Sequence, residues 1–400
     1  MTARSRAHLV LLAVLALTIG TVPGLALTAP ASGAPDDGPL LRRISGFHLD
    51  PDRARVAPRD YTAYRVDLAG LARTLDAAPD AARVRRGTPP LRVEVPDPEG
   101  RLQTFAVQTA PVMQAGLAAR HPELRTYAGR GVADPTRTIR LDVTPMGFHA
   151  AVRGPGGARA WYVDPAYDER GATTHLSYYG ADVPRSADPF VERDLAATAR
   201  TLAAAPVARA PGAVVQRRTY RLAFLTDPSY AAYFGTANVL AEKVTLVNRI
   251  NQVYNDDLAI RLLLIDGSDR LNLDTAAKAT GTGGPCGLSA CFDPTHLEAC
   301  SSSSLDRTNW VLGQLVGADS YDLGHLGLGV AGGGIAGLGV VGTASKASGC
   351  TGVPRPQGDY YAVDYVAHEM GHQFGGNHTF NGTQDNCSLT NRNGSTSVEP

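Results

Sequence analysis

The stretch HEMGHQFGGNH, from His368 to His378, constrains the fold of this chain more than any other. Two histidines four residues apart share a face only on a helix, so His368 and His372 require one there. The adjacent Gly375 and Gly376 predict an abrupt stop, because glycine takes φ > 0 just past a helix end at little cost. Gly375 is the structural turn in this reading. A helix followed by a sharp turn can bring His378 back to the side where His368 and His372 project. Tyr361, Tyr365, Val366, Met370 and Phe374 offer apolar contacts for the helix, and Asp364 suits its first turn.

Three imidazoles meeting at one point form a zinc donor set. They leave the fourth tetrahedral position open, which separates a catalytic site from a closed structural one. Glu369 follows His368 and so sits beside the metal rather than on it. That is where a general base is needed. Zinc lowers the pKa of water to about 7 and polarises a carbonyl. Glu369 would take the proton of the attacking water and return it to the leaving amine. The bland alternative is a solvated polar helix. With 10 histidines in 400 residues, a chance match of all five positions is on the order of 10⁻⁵, so the alternative is set aside.

His368-Glu369-Met370-Gly371-His372-Gln373-Phe374-Gly375-Gly376-Asn377-His378 resembles the metzincin clan of zinc endopeptidases. With Ala367 in front, it looks most like the reprolysin (adamalysin-like) family in its secreted bacterial form. The resemblance implies an α/β (α+β) zincin-like catalytic domain over 218–400, with a mixed sheet and an active-site helix. It also implies a preceding β-rich pro-domain that acts as an inhibitor, and protein or peptide substrates bound in extended form. By resemblance Gly337 to Val341 is the edge strand above the cleft, with Gly339 and Val340 holding substrate backbone. A structural calcium ion is implied without ligands that can be placed. The family carries a methionine turn downstream of the third histidine, yet the four methionines here are Met1, Met113, Met146 and Met370. The chain is therefore read as cut before that turn, and poorly active as a consequence. Some relatives keep the precursor silent with a pro-segment cysteine. None precedes Cys286, so latency must be steric or use another ligand.

The other segments fit an exported precursor. Arg4 and Arg6, an apolar run from Leu9 to Leu17 and the small residues Ala29 to Ala34 predict a cleaved signal peptide over 1–34. Gly20, Pro23 and Gly24 make it a poor membrane span, so a secreted protein without a stable anchor is expected. Residues 35–208 lack cysteine and read as one β-rich unit. It holds strands at Leu91–Val95, Thr138–Val143 and Gly147–Val152, turns at Asp97–Gly100 and 153–157, and a short helix from Val112 to Arg120. An Ala-rich stretch from Leu195 to Val215 reads as a linker, with 209–217 as its processing region and Arg209, Arg217 and Arg218 open to nicking.

The second domain reads as strand Tyr220–Leu225, helix Ala231–Asn255, strand Leu258–Ile265 and helix Ser304–Val316 capped by Ser304. Leu240, Val244, Val247, Ile250 and Tyr254 form the apolar face of the first of these helices. Cys286, Cys291, Cys300 and Cys350 allow two bridges of undetermined connectivity, and Cys387 is left over. Asn381, Asn386 and Asn393 head glycosylation patterns. Gly327-Leu-Gly329-Val-Ala-Gly332 matches a dinucleotide fingerprint, but the glycines that follow would break the helix it requires. His325 reads as a packed strand histidine. With 38 basic and 38 acidic residues there is no net field to attract nucleic acid. The sequence thus points to a zinc endopeptidase made as a precursor. The rivals are an exported zinc-binding or adhesive module without catalysis, and a zinc hydrolase acting on a non-peptide bond.

Overall fold

The computed structural model describes residues 40–81, 88–155, 159–184, 192, 215–376 and 378. The expected signal peptide, most of the expected linker, Cys387 and the three glycosylation patterns lie outside these residues. Among the described residues no helix is long and apolar enough to cross a membrane.

The β-rich region forms a nine-stranded antiparallel sheet. Its strands are β1 (Leu41–Arg43), β2 (Thr62–Val66), β3 (Leu91–Pro96), β4 (Leu102–Thr109), β5 (Arg125–Gly131), β6 (Thr138–Thr144), β7 (Gly147–Arg153), β8 (Trp161–Pro165) and β9 (Thr174–Tyr179). Strands β3 to β9 run as a meander, and the β1–β2 pair adds to the β9 edge. Short alternating strands joined by turns favour this pattern, because each pairs with its sequence neighbour. Val93, Val95, Phe105, Val107, Leu141, Trp161 and Val163 face one way and pack under the helix Leu68–Leu75. Side chains along β7 and β8 are nevertheless buried on both faces, so something must also cover the second face.

The cover comes from the second sheet's domain. Strands β10 (Arg218–Thr226), β11 (Ile260–Leu264), β12 (Leu323–Leu328), β13 (Gly333–Ala336) and β14 (Gly349–Gly352) lie in the order β11-β10-β12-β14-β13. All pairs are parallel except the β13–β14 edge, so the sheet is mixed. The long helix Val239–Leu258 connects β10 to β11. Its apolar residues Val244, Val247, Ile250 and Tyr254 join Leu222, Phe224, Leu262 and Met370 in one core. Its opposite face meets the nine-stranded sheet, and both sheets fall within one unit, 39–400.

Several local expectations need correction. The single helix expected over Ala231–Asn255 is two, Pro228–Phe234 and Val239–Leu258. Gly235 separates them at φ +81°, which an L-residue avoids. The helix expected from Ser304 runs Ser302–Val316, and Ser301 is its cap, accepting from the Ser304 N–H. The helix expected over Val112–Arg120 begins at Ala115. Met113 is extended and bridges to Leu264, since β11 would otherwise leave an edge of unpaired backbone. The edge strand is Gly333–Ala336 rather than Gly337–Val341. Gly327–Gly332 joins strand β12 to strand β13, with no helix behind it. The cysteine connectivity left open by spacing is Cys286–Cys291 and Cys300–Cys350.

Candidate metal centre

A helical run carries the site. It is π-helical from Tyr360 to Ala367 and becomes α-helical at His368, ending at Gln373. Asp364 is therefore mid-run rather than in a first turn. The wider π turns are rare and gather at functional sites. Where the register changes, the Tyr254 hydroxyl of the long helix donates to the Ala367 carbonyl at 2.7 Å. Met370 is fully buried beneath, and the Phe374 ring meets Tyr220 and Tyr254 edge-on at 5.0 and 5.9 Å.

Gln373, inside the motif, ties the helix to the sheet. Its amide donates to the Gly324 carbonyl at 2.9 Å, and its carbonyl oxygen meets His325 Nδ1 at 3.0 Å. Such proximity needs a bare backbone on β14, since a Cβ at Gly349 would come within 2.2 Å of Gln373. His325 is a packed strand histidine, stacked on Phe224 with its Nε2 on Thr351 at 3.0 Å. Burial lowers its pKa to about 4, which keeps it neutral at physiological pH.

The helix stops at the glycines. Gly375 takes φ +96°, and its N–H returns to the His372 carbonyl at 2.8 Å. Gly339 and Val341, in the segment just after the edge strand, donate their N–H groups to the His372 and Gln373 carbonyls. Gly339 and Val340 therefore lie against the end of the His368–Gln373 helix rather than in the sheet.

Beyond the turn His378 comes back. The His368 and His372 Nε2 atoms are 3.1 Å apart, and the His378 ring lies 5.5 and 4.7 Å from theirs by centroid. His372 Nδ1 meets the Gly376 carbonyl at 2.7 Å. A carbonyl can only accept, so Nδ1 carries the proton and the Nε2 lone pair faces the cluster. Two ring nitrogens so close repel unless a cation or proton lies between them.

The fourth member of the cluster is Glu192, which the sequence reading did not single out. Its carboxylate oxygens lie 3.4 Å from His368 Nε2, 3.1 Å from His372 Nε2 and 2.8 Å from His378 Nε2. All four ligand atoms fall within 4.8 Å of one another, the one such group of His, Cys, Asp and Glu found among the described residues. The expected calcium ion gains no ligands from those residues. A tetrahedral zinc with bonds of 2.0–2.1 Å has ligand–ligand edges of about 3.3–3.4 Å, close to these separations. Burial opposes ionisation of Glu192, but its contacts with the three imidazoles outweigh it and hold the carboxyl well below its ordinary range. Burial lowers the His372 pKa, and its contacts with Glu192 and the Gly376 carbonyl raise it overall.

Glu369 is fully buried, and neither carboxylate oxygen has a hydrogen-bond partner. Burial, and then the charge of Glu192, push its carboxyl up to about 8, against the pull of His372. A buried carboxyl with two orphan oxygens costs about 1–3 kcal/mol or more per unmade bond. The cost makes sense if a polar guest belongs between it and the histidines. The donor set, the orphan oxygens and the spacings all fit a zinc ion.

Residues 236–400 match the model of metallo-peptidase family M12B, reprolysin-like. A search of curated proteins gave no match.

Proposed function

We propose, from the premise that residues 236–400 are a reprolysin-like M12B metzincin and the protein a zinc metalloendopeptidase, that His368, His372 and His378 hold the zinc and Glu369 is the general base. On this reading the protein is a secreted precursor that cleaves extended protein or peptide substrates once its β-rich region, 35–208, has been removed within 209–217. The observation that carries the assignment is Glu369, buried beside the three histidines with neither oxygen partnered.

Zinc in this cluster supplies Lewis acidity toward a peptide carbonyl and toward water. The chain's own residues do the rest. The helical i, i+4 spacing and the Gly375 turn hold three imidazoles convergent, and the Gly376 carbonyl fixes the His372 tautomer. Glu369 receives the proton of the attacking water at a carboxylate oxygen and passes it to the amine that leaves. Its burial keeps bulk water from competing for that proton. With the segment that carries Glu192 gone from Gly334, the β13 edge would offer backbone to which an extended peptide can add, supporting extended rather than helical substrates. The neighbouring Gly339 and Val340 complete the rim.

The test is Glu369→Gln in the processed protein, with zinc content measured beside casein hydrolysis. Zinc should stay at one equivalent while kcat falls by roughly 10²-fold or more. Hydrolysis that persists with zinc bound sinks the assignment. Zinc retained in a protein that cleaves nothing, in either form, would favour an exported zinc-binding module. Ester or amide hydrolysis without peptide hydrolysis would favour a different zinc hydrolase.

A further inference from the structure

Glu192 belongs to the region upstream of the peptidase segment, yet its carboxylate touches all three histidines. We propose that Glu192 is the fourth zinc ligand of the intact chain, closing the metal site until the segment that carries it is removed; this rests on the three-histidine zinc site proposed above. A carboxylate is an ordinary zinc donor. Three histidines and one carboxylate fill a tetrahedral ion, which leaves no position for water or a substrate carbonyl.

Three independent features support the assignment. The Glu192 oxygens reach the Nε2 atoms themselves, at 2.8 to 3.4 Å, rather than the outer Nδ1 atom of His372, which is engaged with the Gly376 carbonyl. The backbone of Glu192 bridges in parallel to Gly334 of the edge strand β13. Glu192 therefore occupies the sheet edge as well as the metal position. Finally, no cysteine precedes Cys286, so the upstream region has no thiolate to offer and a carboxylate is its available anionic donor.

The metal-free alternative is a carboxylate paired with protonated imidazoles, and the two differ in what a small chelating probe can do. The experiment uses the full chain with Glu369→Gln, which prevents self-cleavage, loaded with Co²⁺ as a spectroscopic stand-in for zinc. Acetohydroxamate is titrated into this protein and into versions that also carry Glu192→Gln or Glu192→Ala. The visible spectrum of cobalt reports its ligand set.

If Glu192 is a ligand, the chain retaining it resists acetohydroxamate, and both Glu192 variants bind the probe at least roughly tenfold more tightly. Their cobalt spectra also differ from that of the Glu192 chain before any probe is added. The Gln variant preserves shape, so agreement between Gln and Ala separates ligation from packing. Equal probe affinity and identical spectra in all three chains overturn the assignment while leaving the three-histidine site intact. Failure of every chain to bind cobalt overturns both readings, a result distinguishable from the previous one.

Discussion

The long helix Val239–Leu258 has two buried faces of opposite character. Toward β10, β11 and the helix that carries the histidines it presents Val244, Val247, Ile250 and Tyr254. Toward the nine-stranded sheet it presents Glu242, Thr245, Asn248, Arg249 and Gln252, all buried. Glu242 holds Arg55 through two bonds, at 2.8 and 2.5 Å. Arg249 pairs with Asp164. Asn248 and Thr245 both donate to Asp142, which also holds His149 at 2.9 Å. Gln252 donates to the carbonyls of Thr138 and Ala151.

An apolar face loses its stabilisation when exposed, at roughly 25 cal/mol per Å². A polar face exchanges its partners for water and loses little. The first face therefore suits a permanent core. The second suits a contact that can be given up, as the removal of the β-rich region proposed above would require. Apolar contact between the two parts is concentrated where Val112, Met113 and Leu117 dock beside β11.

The two largest expected effects are of similar size, one on each face, and they differ in whether they outlast cleavage. Ile250→Ala should cost about 2–5 kcal/mol, read as faster hydrogen exchange in β10 and β12. The loss should persist after the β-rich region has been cleaved away. A loss that vanished on cleavage would erase the distinction between the faces.

Arg249→Met comes next. It leaves the Asp164 carboxylate buried without its cation, at about 3–5 kcal/mol in the intact chain. Exchange should quicken in β6 to β8 but not in β10 to β12. Pairing it with Asp164→Leu should restore most of the loss, because a buried ion pair is often replaceable by apolar groups. Failure of that repair would mean the pair is held for more than its charges.

The smallest effect is that of pH. Burial raises the Asp164 carboxyl, but Arg249 outweighs it and brings it to about 2, below the ordinary value near 3.9. A depressed carboxyl contributes stability that is present above about pH 4 and lost as pH falls through about 2, here roughly 2–3 kcal/mol. Mild acid of pH 5 should therefore leave the two parts associated through this pair. Separation already at pH 5, followed by size-exclusion chromatography of the nicked chain, would point to another titrating contact.

Local spacing made much of this legible. The helix at His368, the stop at Gly375 and the meander strands β3, β6 and β7 all follow from interactions within a few residues. The apolar stripe of the long helix was equally visible. Its polar stripe stands at the same helical spacing but reads as a solvated face, since burial of charges depends on a partner far along the chain. Gly333–Ala336 was displaced from the expected edge strand for a similar reason: glycines recur from Gly332 to Gly342, and which four residues pair is decided by β14. Glu192 carried no periodic signal. Only the lack of an upstream cysteine hinted that some other ligand was needed.

Residue type and short-range spacing alone determined the convergence of His368, His372 and His378, because a helix and a glycine turn are local objects with known geometry. Only the tertiary structure decided what meets them. A carboxylate some 180 residues earlier reaches the same point because the upstream backbone pairs with β13, and no local rule gives the end point of so long a loop.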